Sequence, residues 1–203
     1  MRNNTIAIDG DGVIFNWNNS YARLWERVFG KKLEVQDDKA YFAIDRFKVP
    51  KLQGDDLQKF RQARDEEFWT TMDILPGAIE ACNILIDNGF HLVMVTAADH
   101  ATREFRQRNL IDKGVPIHTV YTVSDEPCEG SPKAAVLNEL KPLVFIDDYL
   151  PYFKGVDGSI TKVLIDRNRE CPNNPNMGPD RQAINLFRES LHHFATNSIH
   201  HLV

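Results

Sequence analysis

Five short apolar runs mark the chain, each rich in Val, Ile, Leu or Phe rather than built on strict alternation with polar residues. Runs of this kind are typical of strands that are buried on both faces of a parallel sheet. We therefore predict a five-stranded parallel sheet, with strands at residues 6–8, 91–96, 117–123, 143–146 and 162–165.

Helical patterns lie before the second predicted strand, after the third and after the last. One segment begins after Gly77 and ends at Gly89, with apolar residues three and four positions apart. Ser131 and Pro132 are typical of a helix start, with serine as N-cap and proline at the first helical position. A last helix is predicted from Asp180, with apolar residues at helical spacing: Ile184, Phe187, Leu191 and Phe194. Strands that alternate with helices predict a doubly wound, Rossmann-like α/β fold.

The stretch between the first strand and Pro76 interrupts this alternation, because it contains no convincing strand. Its first part predicts an amphipathic helix closed by Gly30, and residues 58–71 predict a second helix. We therefore predict a small helical cap at residues 17–74, inserted into an α/β core formed by residues 1–16 and 75–203.

Composition and charge narrow the class of protein. The chain has 203 residues, 42% of them hydrophobic and 26% charged, which suits one globular core with an insertion. No apolar run is long enough to span a bilayer and no signal-peptide pattern is present, so we expect a cytoplasmic protein, monomeric or homodimeric. The three cysteines include no CxxC pair that would indicate a disulfide framework or a zinc site. A net charge of -5 argues against binding of a nucleic-acid polymer but leaves a small anionic substrate open.

Polar residues follow several of the predicted strands. In chain order they are Asp9 and Asp11, Thr96, Lys133, and Asp147 with Asp148. Because the carboxyl ends of parallel strands meet at one edge of a sheet, we expect these side chains to lie together.

This set of residues suits a particular chemistry. Asp9 and Asp147 would hold a hard cation through oxygen ligands, and the lack of nearby His or Cys favours Mg²⁺ over Zn²⁺. A metal and Lys133 facing one cavity would attract a phosphoryl group, with Thr96 and backbone N–H groups as hydrogen-bond donors. Two aspartates allow one carboxylate to attack phosphorus while the other carries the proton.

The motifs DGDGV (residues 9–13), Thr96, the lysine of SPK (131–133) and the aspartates of FIDDY (145–149) resemble the four ordered motifs of the haloacid dehalogenase superfamily. The resemblance implies that Asp9 is the nucleophile and Asp11 the general acid and base. It further implies phosphate binding by Thr96, Ala97 and Lys133. The implied Mg²⁺ ligands are Asp9, the backbone carbonyl of Asp11, and Asp147, with Asp148 as a weaker ligand or a support for one.

The resemblance also bears on the reaction and the substrate. Superfamily members that cleave carbon–halogen bonds lack the second aspartate of the first motif, so Asp11 favours phosphoryl transfer. The predicted cap looks closest to the deoxyribonucleotidase-like branch, which removes 5′-phosphates from nucleotides. Trp17 and Phe42 are the first candidates to stack on a base, and Arg167 or Arg169 could reach distal substrate groups.

These observations predict a Mg²⁺-dependent phosphomonoester hydrolase that acts through an aspartyl-phosphate on a small phosphorylated metabolite, with nucleoside 5′-monophosphates among the candidates. Two alternatives stay open at this point. One is a phosphomutase or phosphotransferase of the same superfamily, and the other is a regulatory protein that binds a phosphate ligand without turnover.

Overall fold

Six parallel strands form one sheet in a computed structural model that describes residues 4–124, 129–167, 171 and 173–199. The strands are β1 (Thr5–Ile8), β2 (His91–Ala97), β3 (Val120–Val123), β4 (Val144–Asp147), β5 (Thr161–Ile165) and β6 (Leu186–Arg188). Their order across the sheet is β3-β2-β1-β4-β5-β6, and every neighbouring pair is parallel. The predicted parallel α/β fold is confirmed.

The helices of the described residues fall into two groups. Four lie between β1 and β2: α1 (Trp17–Phe29), α2 (Ala43–Arg46), α3 (Gly54–Gln62) and α4 (Glu66–Thr70). The others are α5 (Ala78–Asp87), α6 (Arg103–Asp112), α7 (Ala134–Leu140) and α8 (Leu191–Asn197). Short 3-10 turns precede α6, follow β4 and precede β6.

The prediction of five strands is wrong, because the segment assigned to a last helix contains a sixth strand. Residues Pro179–Ala183 form a 3-10 turn, the chain then pairs with β5 as β6, and the helix α8 begins only at Leu191. The helical spacing of apolar residues therefore ran across three separate elements. Ser190, whose side chain accepts a hydrogen bond from the His193 N–H, is the cap that starts α8.

The single helix predicted for residues 58–71 is also wrong. The chain forms α3, breaks after Gln62, and starts again as α4 at Glu66. Asp65 causes the restart, since its carboxylate accepts a hydrogen bond from the Phe68 N–H at the head of α4. By contrast, the predicted helix closed by Gly30 is confirmed as α1, with Gly30 in the left-handed conformation (φ 66°).

Alternate residues of each strand pack on opposite faces of the sheet. Ile6 and Ile8 of β1 belong to the larger hydrophobic cluster, whereas Ala7 belongs to the smaller one beside α7. The larger cluster also contains buried aromatic residues of the segment between β1 and β2: Tyr21, Trp25, Phe47, Phe60, Phe68 and Trp69. That segment therefore shares its apolar core with one face of the sheet.

The strand order places β1 between β2 and β4, so the direction of winding reverses beside β1. Ligands of such sheets bind in the crevice beyond the carboxyl ends of the strands at this reversal.

The division of the chain into a core (1–16 and 75–203) and a cap (17–74) stays a prediction. Among the described residues, no helix is both long enough and apolar enough to cross a membrane.

Candidate active site

Lys133 joins two aspartates at the centre of the site. Its Nζ donates hydrogen bonds to Asp9 Oδ1 at 2.5 Å and to Asp147 Oδ2 at 2.6 Å. The side chains of Lys133 and Asp147 are fully buried, and that of Asp9 is nearly so. Three ionisable groups that are distant in the sequence are therefore held together, largely shielded from solvent.

The strand ends explain this arrangement. Asp9 directly follows β1, and its N–H donates to the Ile146 carbonyl of β4, which fixes it beside Asp147. The carboxylate of Asp147 is oriented in turn by a hydrogen bond from the Tyr149 N–H at 2.9 Å. Lys133 reaches the same place from the turn that precedes α7, where Ser131 Oγ accepts its backbone N–H.

Burial and charge both perturb protonation here. Burial raises the pKa of Asp9 to about 7; the neighbouring Asp147 and Asp11 carboxylates add to this effect, and Lys133 opposes it. Burial also raises the pKa of Asp147, again against Lys133. Burial alone would lower the pKa of Lys133, but the Asp147 and Asp9 carboxylates have the larger combined effect and raise it. The site thus favours a positive charge next to its aspartates.

A third carboxylate completes an acidic cluster. Carboxylate oxygens of Asp9, Asp147 and Asp148 all lie within 4.8 Å of one another. Burial raises the pKa of Asp148 well above its usual value, and the Asp9 and Asp147 charges add to it. Three hard oxygen donors so close together fit a Mg²⁺ ion, which would offset their mutual repulsion.

Asp11 lies at the same strand end but faces elsewhere. Its carboxylate accepts hydrogen bonds from both terminal nitrogens of Arg106, at 3.2 Å and 2.7 Å. Its side chain keeps a quarter of its surface exposed and lines the cavity described next. The two aspartates of DGDGV therefore occupy different surroundings, one beside Lys133 and one beside Arg106.

A cavity of about 430 Å³ opens over these residues. The strand ends contribute Asp9, Asp11, Gly12, Thr96, Ala97 and Asp148 to its lining. The segment between β1 and β2 contributes residues that include Asn16, Trp17, Asn18, Tyr41, Phe42 and Arg64. Lys133 and Asp147 are absent from the lining that the described residues form, and they lie buried beneath Asp9.

Thr96 Oγ1 and Asn18 Oδ1 belong to residues that line this cavity, and neither atom has a hydrogen-bond partner among the described residues. Both atoms are shielded from solvent. A buried polar atom without a partner costs free energy, about 1–3 kcal/mol for a neutral group. A ligand in the cavity would remove that cost.

The aromatic candidates divide by position. Trp17 and Phe42 line the cavity, and Phe42 keeps 40% of its surface exposed. Phe47, Phe68 and Trp69 lie in the hydrophobic cluster. Stacking on a substrate by Trp17 or Phe42 stays a prediction.

Polar residues of the loop after β5 contact Gly12 and the backbone of Asp148. Arg167 lines the cavity and its guanidinium donates to the Gly12 carbonyl, whereas Arg169 lies outside the described residues. Asn176 donates to the Asp148 carbonyl at 2.8 Å and accepts the Leu150 N–H. Asn176 therefore holds the backbone of the segment that begins after β4.

Sequence reasoning missed Arg106, Tyr41 and Asn176. The ring of Tyr41 stacks on that of Tyr149, with 5.9 Å between the ring centres. Burial raises the pKa of Tyr41, and the charges of Asp148 and Asp147 add to that effect. Arg106 shares one face of α6 with Asn109 and Leu110, all three buried. The sequence shows that these three residues are spaced to lie on one face of a helix. The stretch REFRQRN is so rich in charged and polar residues, however, that it resembles a helix surface exposed to solvent.

The sheet order is that of a Rossmann-like α/β fold, which solved structures named as hydrolases of the haloacid dehalogenase (HAD) family share. CbbY from Rhodobacter sphaeroides, solved with phosphate, is 14% identical and matches with a TM-score of 0.57 over 95% of this chain and 96% of its own. YfnB from Bacillus subtilis, a proposed HAD-hydrolase solved with magnesium, is 13% identical. It matches with a TM-score of 0.62 over 100% of this chain and 99% of its own. A proposed β-phosphoglucomutase from Thermotoga maritima is 14% identical, with a TM-score of 0.57 over 98% and 99%. No family model matches the sequence, and no curated protein sequence matches it.

Proposed function

We propose that this protein is a Mg²⁺-dependent phosphomonoester hydrolase that forms an aspartyl-phosphate at Asp9. The observation that carries the proposal is the pair of aspartates at the end of β1, one held by Lys133 inside an acidic cluster and the other held by Arg106 at the cavity wall. A nucleophile and a proton carrier need such different surroundings.

Each residue then has a stated task. An oxygen of the Asp9 carboxylate bonds to phosphorus as the ester P–O bond breaks, and Asp11 gives its proton to the leaving oxygen. Asp11 then takes a proton from water, the water oxygen bonds to phosphorus, and the Asp9–phosphorus bond breaks to release phosphate. Thr96 Oγ1 would donate to a phosphoryl oxygen, while Lys133 keeps Asp9 in place.

Asp9, Asp147, Asp148 and the backbone carbonyl of Asp11 would hold the Mg²⁺ ion. When bound, Mg²⁺ stabilises negative charge on phosphoryl oxygens. Support comes from two similar structures, since CbbY was solved with phosphate and YfnB with magnesium.

The experiment is phosphate release from a panel of nucleoside 5′-monophosphates, sugar phosphates and phosphoglycolate, with Mg²⁺ or with EDTA. We expect release only with Mg²⁺, no turnover by Asp9→Asn, and a loss of about 10²- to 10⁴-fold in Asp11→Asn. Asp112→Asn, at an exposed aspartate on α6 outside the cavity, is the matched control and should keep full activity.

Two outcomes would contradict the proposal. Full activity in Asp9→Asn would remove Asp9 as the nucleophile. A folded protein that binds phosphate esters but releases no phosphate would instead indicate a regulatory role.

The panel also tests the substrate. We propose nucleoside 5′-monophosphates first, because Trp17 and Phe42 line the cavity above the strand ends and could stack on a base. A higher kcat/KM for sugar phosphates than for all nucleotides would oppose this choice and the deoxyribonucleotidase-like assignment.

Transfer to a sugar hydroxyl is the second candidate, because one similar structure is a proposed β-phosphoglucomutase. Added sugar would then divert phosphate into a new ester, and unchanged release of inorganic phosphate would exclude that reaction for the sugars tested.

A further inference from the structure

Arg106 stands out as a large charged residue with no exposed surface. It lies in the middle of α6, and its guanidinium forms a two-pronged ion pair with Asp11. Taking a guanidinium out of water is costly unless a well-placed partner offsets the loss. The partner here is an aspartate that lines the cavity.

Aromatic rings and a glycine enclose the guanidinium. Its carbon lies 4.5 Å from the centre of the Trp69 ring and 5.7 Å from that of Phe15. A Cβ on Gly10 would lie 3.1 Å from a terminal nitrogen of Arg106, so a side chain at this position would crowd the guanidinium. These contacts leave the guanidinium little freedom to turn away from Asp11.

The helix that carries Arg106 is anchored by a second buried polar residue. Asn109, three positions further along α6, donates to the carbonyls of Trp69 and Met72 at 3.1 Å and 3.3 Å. Arg106 and Asn109 therefore contact the same short segment, residues 69–72. Arg106 packs on the Trp69 ring, and Asn109 bonds to backbone carbonyls. The direction in which α6 presents Arg106 is fixed by that segment.

We infer that Arg106 is a positioning residue that fixes the Asp11 carboxylate for proton transfer, an inference that rests on the role proposed for Asp11. A carboxylate offers about four lone-pair sites, and the two prongs of Arg106 occupy two of them. The remaining sites belong to a carboxylate that lines the cavity and cannot rotate without breaking both hydrogen bonds. Lysine could not replace this function, because its ammonium lacks the planar fork.

The test uses p-nitrophenyl phosphate with Mg²⁺ as the probe. We expect Arg106→Lys to lower kcat by about 10- to 100-fold, because misplacing a proton-transfer group forfeits part of its effect. KM for the probe and the Mg²⁺ affinity should change by less than about twofold, since neither the acidic cluster nor Thr96 is altered.

Arg108→Lys is the matched control, because Arg108 lies on the same helix and its ion pair with Glu66 of α4 is exposed. Its kcat should equal that of the wild type. Equal kcat values for Arg106→Lys and Arg108→Lys would overturn the inference.

A double-mutant cycle separates positioning from general support of the fold. In an Asp11→Asn protein, Arg106→Lys should cost less than about twofold in kcat, because the group that it positions is already gone. The same loss in both backgrounds would show that Arg106 does not act through Asp11. If Arg106→Lys does not fold, Arg106→Gln, which buries no charge, is measured in the same cycle with the same criterion.

Failure of the inference is distinct from failure of the proposed function. If the wild type releases no phosphate from any ester, the function fails before the variants are compared. If the wild type is active and the cycle shows additive losses, only the inference is overturned.

Discussion

Gly12 lies so close to Asp148 that any side chain would disturb the acidic cluster. A Cβ there would come within 1.9 Å of Asp148 Oδ2, and the backbone has φ 84°, which side chains disfavour. We predict that Gly12→Ala displaces Asp148 and weakens Mg²⁺ binding at least about tenfold, as measured by calorimetry.

Gly30→Ala is the control for the backbone effect alone. Gly30 has a similar φ of 66°, and no atom lies within 4 Å of its hypothetical Cβ. Its substitution should lower the free energy of unfolding by about 1 kcal/mol without changing Mg²⁺ affinity. Equal Mg²⁺ affinities in the two variants would mean that Asp148 takes no part in the metal site.

For single residues, the sequence predicts the aspartates of the site better than it predicts Arg106, which pairs with one of them. Asp9, Asp11 and Asp147 lie at the ends of apolar strands, and a parallel sheet brings strand ends to one edge, so their placement at that edge was predictable. Arg106 was not, because its burial depends on Trp69 and Phe15, which are distant in the sequence. Only long-range packing distinguishes it from the exposed Arg108.

Among the elements, α4 depends on one capping residue. Asp65 accepts the Phe68 N–H and pairs with Arg27. Although slight burial opposes it, these two contacts lower the pKa of Asp65. Because the folded pKa lies below the unfolded one, the stabilisation is present above the unfolded pKa and is lost as the pH falls through the folded pKa.

We predict that Asp65→Ala lowers the free energy of unfolding by about 1 kcal/mol at neutral pH, as measured by urea denaturation. Asp65→Asn keeps a capping oxygen and should recover most of that loss. If both variants were equally destabilised, the charge pair with Arg27 and not the cap would be the source.

The boundaries of elements were the weakest part of the sequence prediction. The last predicted helix combined a 3-10 turn, β6 and α8, because apolar residues of successive elements happened to keep helical spacing. β6 is a three-residue edge strand, and all of its residues are only half-buried, so it lacks the apolar run that marked the central strands.

For the whole molecule, we expect the acidic cluster to make stability depend on pH and, if the proposed function is right, on Mg²⁺. Burial raises the pKa of Asp9 to about 7, and the pKa values of Asp147 and Asp148 are raised as well. A raised carboxyl pKa means that the folded state binds more protons than the unfolded state, so stability without metal falls as the pH rises toward 7. Under the proposed function, Mg²⁺ would bind the deprotonated cluster and should reverse that fall.

We predict that the increase in Tm caused by Mg²⁺ is larger at about pH 8 than at about pH 5.5. Thermal melts at both pH values, with Mg²⁺ or with EDTA, measure it. Asp9→Asn should show a smaller increase and a weaker dependence on pH, because only Asp147 and Asp148 of the cluster are left to titrate. An increase that was the same at both pH values in the wild type would argue against metal binding at this cluster.

The contacts of α6 with the segment around Trp69 also limit how this protein could be recombined. A chimera that exchanged residues 17–74 for another helical insert would carry away the ring beneath Arg106 and the carbonyls that receive Asn109. The new segment would have to supply both, or Asp11, the proposed proton carrier, would lose the support of Arg106. An exchange that preserved the support of Arg106 would therefore have to leave Trp69 and Met72 in place.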